Sequence, residues 1–84
     1  MMGLSISPDW LDTPISVADV DADYGAPSSG LHAEWERLKS EMRPGDKLVR
    51  FASPVESWER LAGRAGIALV RDGKVIDAFV TMMN

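Results

Sequence analysis

Three aspartates, Asp19, Asp21 and Asp23, alternate along the chain as the first ligands of a calcium-binding loop do. A loop of the EF-hand type also needs a glycine at its sixth position and a bidentate glutamate at its twelfth. Here Tyr24 stands at the sixth position and Gly30 at the twelfth. We therefore expect no metal site, and we interpret the alternating acids as a solvated face that leads into a turn.

An arginine between two glycines, in the segment GRAG at 63–66, is the better candidate for ligand binding. The guanidinium fork of Arg64 and the nearby backbone N–H groups suit a carboxylate or a phosphate. We assign Arg50 and Asp46 to the same hypothetical site. In the structural alternative the glycines serve a helix end and a strand entry, and Arg64 forms an ion pair with Asp46, Glu59 or the acidic N-terminal residues.

The sequence indicates no catalytic set. His32 is the single histidine. As a general base it would need a nucleophile such as Ser28, Ser29 or Ser57 within hydrogen-bond reach, which the sequence does not indicate. Cysteine is absent, which excludes a thiol nucleophile, thiolate metal ligands and disulfides, and which favours a reducing cytoplasm. We expect no cofactor, and we expect that the protein is not an enzyme.

Length and charge limit the classes of partner. The 84 residues suit one compact domain, and we expect neither a signal peptide nor a membrane-spanning helix. The net charge is -4, and the first basic residue is Arg37. A strongly acidic first half argues against nucleic acid as a partner, because the phosphates would be repelled. It also allows the acidic arm to cross the more basic body.

Spacing of apolar residues predicts a long helix at 29–43. Leu31, Trp35, Leu38 and Met42 recur on one face of such a helix. Pro44 disfavours a helical conformation for the residue before it, so we expect the helix to end there.

A strand and a short helix should follow. The run at 46–52 is rich in residues that favour strands, and it is too short for a helix. Ser53 and Glu56 have the spacing of a capping box for a helix at 54–62, and Gly63 suits the left-handed residue after the helix. The apolar face of this helix would consist of Trp58, Leu61 and Ala62.

The end of the chain, at 65–82, predicts a β-hairpin. Two apolar runs flank Asp72-Gly73, a dipeptide that type I′ turns prefer. A regular register would place Leu69 opposite Ile76, and Ile67 opposite Ala78, on a face covered by Trp35. The other face would carry the remaining apolar residues of the hairpin, among them Val70, Val75 and Phe79.

Together these elements predict an α+β fold. It has a small antiparallel sheet of three strands, the long helix on one face and the short helix between strands. Alternation from Ile15 to Val20 predicts a fourth strand at the N-terminal edge, with Pro14 at its start. Within a single domain, 1–84, we distinguish an acidic N-terminal arm, 1–28, from a folded body, 29–84.

Residues 45–77 resemble a family of small bacterial proteins that have no assigned chemistry. The resemblance is carried by Gly45-Asp46, Leu48, Phe51, Ser53-Pro54, Ser57-Trp58, Leu61, Gly63-Arg64, Gly66 and the run from 68 to 75. It implies a bacterial origin and a shared C-terminal body, and it supplies no catalytic residue.

Three readings of function remain open from the sequence, and one of them is purely structural: the protein is a subunit that is inert without its neighbours. Of the other two, the first is a non-enzymatic interaction or accessory module whose second sheet face, with Val70, Val75, Phe79 and Trp10, binds a protein partner or a second copy as a homodimer. The alternative is that the N-terminal arm, through Trp10, covers this same face within one chain. The second is a small-ligand or anion binder, or a minor enzyme, centred on Arg64.

Overall fold

The structure, a computed structural model, describes residues 6–84. It is an α+β fold with a four-stranded antiparallel sheet in the order β1-β2-β3-β4. The strands are β1 (Leu11–Ile15), β2 (Lys47–Ala52), β3 (Arg64–Arg71) and β4 (Lys74–Met83), and the helices are α1 (Val17–Tyr24), α2 (His32–Ser40) and α3 (Val55–Glu59). Over residues 6–84, no helix has the length and apolar character needed to cross a membrane.

The N-terminal edge strand exists, but its position differs from the prediction. β1 pairs with β2 through Leu11 and Phe51, whereas the residues predicted as strand after Ser16 form α1. Ser16 caps this helix, since its hydroxyl accepts a 3.1 Å hydrogen bond from the backbone N–H of Asp19. The helical signal was present in the sequence as Val17, Val20 and Tyr24, at spacings of three and four.

The helix predicted at 29–43 forms only as the nine-residue α2, which has the expected buried face. α2 buries Trp35 and Leu38 completely. Residues 29–31 form a turn ahead of it, in which the backbone N–H of His32 donates to the carbonyl of Ser29. At the other end Met42 donates to the carbonyl of Lys39, a tightened turn that ends the helix before Pro44.

The predicted capping box at Ser53 is wrong. α3 has no side-chain cap, and the buried hydroxyl of Ser53 accepts hydrogen bonds from the backbone N–H of Arg64 at 2.9 Å and from the Ser57 hydroxyl at 2.7 Å. The hydroxyl therefore joins α3 to β3 instead of capping the helix. Gly63 is not the left-handed residue either; a Cβ there would lie 2.1 Å from the indole of Trp58, so glycine is required by packing.

The hairpin turn is confirmed, and the predicted register fails beyond it. Asp72 and Gly73 have φ of 52° and 79°, the two positive values that a type I′ turn requires. Ile76 then has no partner in β3, because Val75 pairs with Val70 and the next pair is Asp77 with Leu69. This β-bulge reverses the faces of the residues that follow it.

The bulge brings Phe79 to the helix side of the sheet. Its ring packs edge-on against Tyr24, with centroids 5.7 Å apart, and lies 6.4 Å from the ring of Trp35. Ile76, predicted to be core, is 40% exposed, whereas Ala78 moves to the opposite face. The first core thus lies between one face of the sheet and the helices α1 and α2. Its buried residues are Val20, Trp35, Leu38, Leu48, Ile67, Leu69 and Phe79.

The second sheet face is covered by the N-terminal arm. Ile6, Trp10 and Leu11 pack against a cluster formed by Val49, Phe51, Ala68, Val70 and Ala78. A 3-10 turn at Pro8–Trp10, capped by the Ser7 hydroxyl, brings the indole to this face. The arm, which the sequence offered only as the rival to a second copy for covering this face, is therefore integrated into the sheet through β1 as well as packed on its second face.

Candidate functional site

The predicted ligand residues are spread along the sheet. Asp46 precedes the first residue of β2, whereas Arg64 begins β3, beside the last residue of β2. The two residues therefore lie at opposite ends of the sheet. Arg50 is exposed in the middle of β2, where its partner in β3 is Ile67. No arrangement of these three residues around one ligand is formed.

Asp46 forms a structural ion pair instead. Arg71 donates to its two carboxylate oxygens at 2.8 and 2.7 Å, and the backbone N–H of Arg43 donates at 2.9 Å. The Arg71 guanidinium lowers the pKa of Asp46 to about 2. Arg71 also donates to the carbonyl of Glu41 at 3.1 Å. This pair connects the turn after α2 to the end of the hairpin, and the two charged groups already bind each other instead of a ligand.

The aspartates that prompted the calcium hypothesis lie on α1 and do not converge. Asp21 accepts hydrogen bonds from the Trp35 indole at 2.6 Å and from Lys39 at 3.1 Å, and both lower the pKa of its carboxyl group. Asp21 thus satisfies the polar atom of a buried tryptophan. Across residues 6–84, no three His, Cys, Asp or Glu side chains are grouped so as to hold a metal ion.

His32 has a structural role that the sequence did not indicate. Its Nδ1 lies 3.2 Å from the carbonyl oxygen of Tyr24, at the end of α1. The ring therefore connects α1 to α2 at the point where the intervening turn closes. It has no hydroxyl or carboxylate partner in the part of the chain that the structure describes, so the arrangement offers no nucleophile and base pair.

The predicted interaction face is divided between the two sides of the sheet. Trp10, Val70 and Val75 lie together in the second cluster, where the side chain of Val70 is buried by the arm. Phe79 lies in the first core, below α2. The apolar residues that were expected to meet a partner are thus mostly buried within this chain.

A different apolar surface is exposed at one end of the sheet. The end of β2 pairs with the start of β3, and the start of β3 pairs with the end of β4. Apolar side chains that are 61% to 76% exposed lie in α3, in the loop after it and at the end of β4. We call this surface the α3 end; it consists of Val55, Leu61, Met82 and Met83.

Leu61 is held outward by a constrained loop. Its φ is 59°, in the left-handed region that side chains other than glycine and asparagine rarely occupy, and it is 76% exposed. Asn84 fixes the loop: its side chain donates to the carbonyl of Trp58 at 2.7 Å and accepts from the N–H of Gly63 at 2.8 Å. The leucine side chain therefore extends from an ordered loop into solvent.

The charged residues beside the α3 end balance one another. The exposed charged residues here sum to a formal charge of zero, in a chain of net charge -4: Glu56 and Glu59 on α3, Arg60 directly after it, and Arg64 at the start of β3. The charges at this end therefore do not by themselves oppose the approach of a second copy. Arg64, predicted to bind a ligand, lies at the edge of the α3 end instead of within a pocket.

Sequence reasoning missed this surface because Leu61 was assigned to the buried face of a longer helix. The signal that existed was weak: Val55, Met82 and Met83 fall outside every periodic stripe that predicts core.

Comparisons with known proteins add no further assignment. No family model, no curated protein and no solved structure matches this chain.

Proposed function

We propose that this protein is a non-enzymatic interaction module that self-associates through the α3 end, as a two-fold pair of copies acting in a bacterial cytoplasm. The observation that supports it best is Leu61. In the single chain, the left-handed backbone of a leucine costs roughly 1 kcal/mol, and the exposed side chain offsets little of this by burial. A contact with another molecule would supply the missing burial.

The chemistry of the surface suits a second copy. Leu61 would be a rigid central anchor, and the exposed methionines at the end of β4 can adjust to a facing surface. Under two-fold symmetry each copy contributes the same residues, so that Glu59 of one copy can face Arg64 of the other at the rim. The lack of cysteine agrees with a reducing compartment.

The test is Leu61→Asn, because asparagine tolerates a positive φ while removing the apolar side chain. We expect the wild-type protein to sediment as a dimer at micromolar concentration, and Leu61→Asn to sediment as a folded monomer. The melting temperature of the variant should not depend on protein concentration, whereas that of the wild-type dimer should rise with concentration.

Ile76→Asn is the matched control. Ile76 is also exposed on β4, at a distance from the α3 end, so this variant should remain a dimer. A wild-type protein that stays monomeric throughout the micromolar range would contradict the proposal. A dimer that survives Leu61→Asn unchanged would also contradict it.

A further inference from the structure

The outer edge of β4 is the second place where this molecule can bind another. β4 ends the sheet on one side, and with ten residues it is twice as long as β1, the five-residue strand at the other edge. β1 also contains Pro14, which has no N–H for a further ladder. An edge strand presents unpaired N–H and C=O groups, which makes it a template for an added strand.

Two side chains form hydrogen bonds with backbone groups at the centre of β4. Oδ1 of Asp77 accepts a 2.8 Å hydrogen bond from the N–H of Ala78, and Arg37 on α2 donates to the carbonyl of Ala78 at 3.4 Å. Arg37 and Asp77 also form an ion pair with each other. We call Arg37 and Asp77 the edge guard, because they bond the groups that a further strand would use.

The guard lies on the regular part of the strand. Ile76 and Thr81 are both without partners in β3, so β4 has two bulges, and between them residues 77–80 pair regularly with residues 66–69. A bulge itself discourages strand addition by twisting the edge. The regular segment is therefore where strand addition is easiest, and Ala78 lies within it.

We propose that the Arg37–Asp77 pair keeps the outer edge of β4 closed in the native chain, and that without this pair the edge binds β4 of a second copy, antiparallel. The pairing is compatible in charge: about a two-fold centre at Ala78, Asp77 would lie opposite Phe79, and no two like charges would face each other. Exposed Ile76 would lie opposite Val80, an apolar pair.

This interface is independent of the α3 end, so it is tested in a chain that carries Leu61→Asn. Adding Asp77→Ala, or separately Arg37→Gln, should convert the folded monomer into a dimer. Hydrogen exchange at Ala78 and Val80 should slow in that dimer, because the outward amides of these alternate residues become paired between copies. Circular dichroism verifies that each variant remains folded.

Glu34→Gln is the matched control. Glu34 is another partner of Arg37, at 3.0 Å, and it makes no hydrogen bond to β4 in the part of the chain that the structure describes. This variant should stay monomeric. The proposal is overturned if both guard variants are folded monomers, or if they associate without slower exchange at Ala78 and Val80. Should Leu61→Asn itself remain a dimer, the same exchange comparison still tests the β4 edge.

Discussion

At the scale of single residues, several polar side chains in this protein act to satisfy one another. Asp21 bonds the indole of Trp35, Ser53 joins α3 to β3, and Asp46 holds Arg71. No buried side-chain nitrogen or oxygen within residues 6–84 lacks a hydrogen-bond partner. Asp21 and Asp46, which resembled metal- or ligand-binding groups in the sequence, are therefore already used inside the fold, whereas Leu61 is an exposed apolar side chain on a left-handed backbone.

The Asp46–Arg71 pair predicts a specific dependence of stability on pH. The pKa of Asp46 is lowered from 3.8 to about 2 by Arg71. Because the folded pKa lies below the unfolded one, the ionised carboxylate stabilises the fold above about pH 4, and this contribution is lost as the pH falls towards about 2. Thermal unfolding of Asp46→Asn should show a lower melting temperature than wild type at pH 7 and a smaller difference near pH 2.

Asp12→Asn provides the comparison for that experiment. Asp12 is exposed on β1, and it forms no ion pair among the described residues. The melting temperature of Asp12→Asn should follow that of wild type across the same pH range. Parallel curves for wild type and Asp46→Asn would show that the ion pair does not contribute to stability.

At the scale of elements, the hairpin of β3 and β4 depends on its turn. Gly73 has a φ of 79°, and replacing it by valine should destabilise the protein by about 1 kcal/mol or more, since a β-branched residue resists that conformation. Urea unfolding of Gly73→Val measures this. Gly30→Val is the control, because Gly30 is exposed and a Cβ there would meet no atom within 4 Å. Equal unfolding midpoints for the two variants would refute the hairpin argument.

At the scale of the whole molecule, the sheet is covered on both faces by parts of the same chain. α1 and α2 cover one face, and the segment around Trp10 covers the other. Deletion of residues 1–14 should therefore expose Phe51, Ala68 and Val70, increase binding of the dye ANS and cause aggregation.

A charge-only variant provides the control for the deletion. Asp9→Asn with Asp12→Asn removes acidic groups from the same segment and keeps its apolar side chains. Dye binding should then stay at the wild-type level, because the cover is apolar and not electrostatic. A deleted chain that does not aggregate and binds no dye would contradict the role of the segment as a cover.

Local sequence determined the features that depend on neighbouring residues. Asp72-Gly73 specified the turn, since the positive φ of two adjacent residues restricts which side chains fit. The spacing of Trp35 and Leu38 specified the buried face of α2, because helical periodicity is set within a few turns. The α+β class with an antiparallel sheet followed from those elements, and these parts of the fold were predicted correctly.

Tertiary structure alone decided the features in which distant residues compete for one position. The bulge at Ile76 turns Phe79 towards Tyr24 and Trp35, and burial of that ring beneath two helices outweighs a regular ladder that local alternation would favour. The α3 end was hidden for the same reason. Asn84, more than twenty residues away along the chain, closes the loop after α3 and turns Leu61 outward, and no local pattern contains that contact.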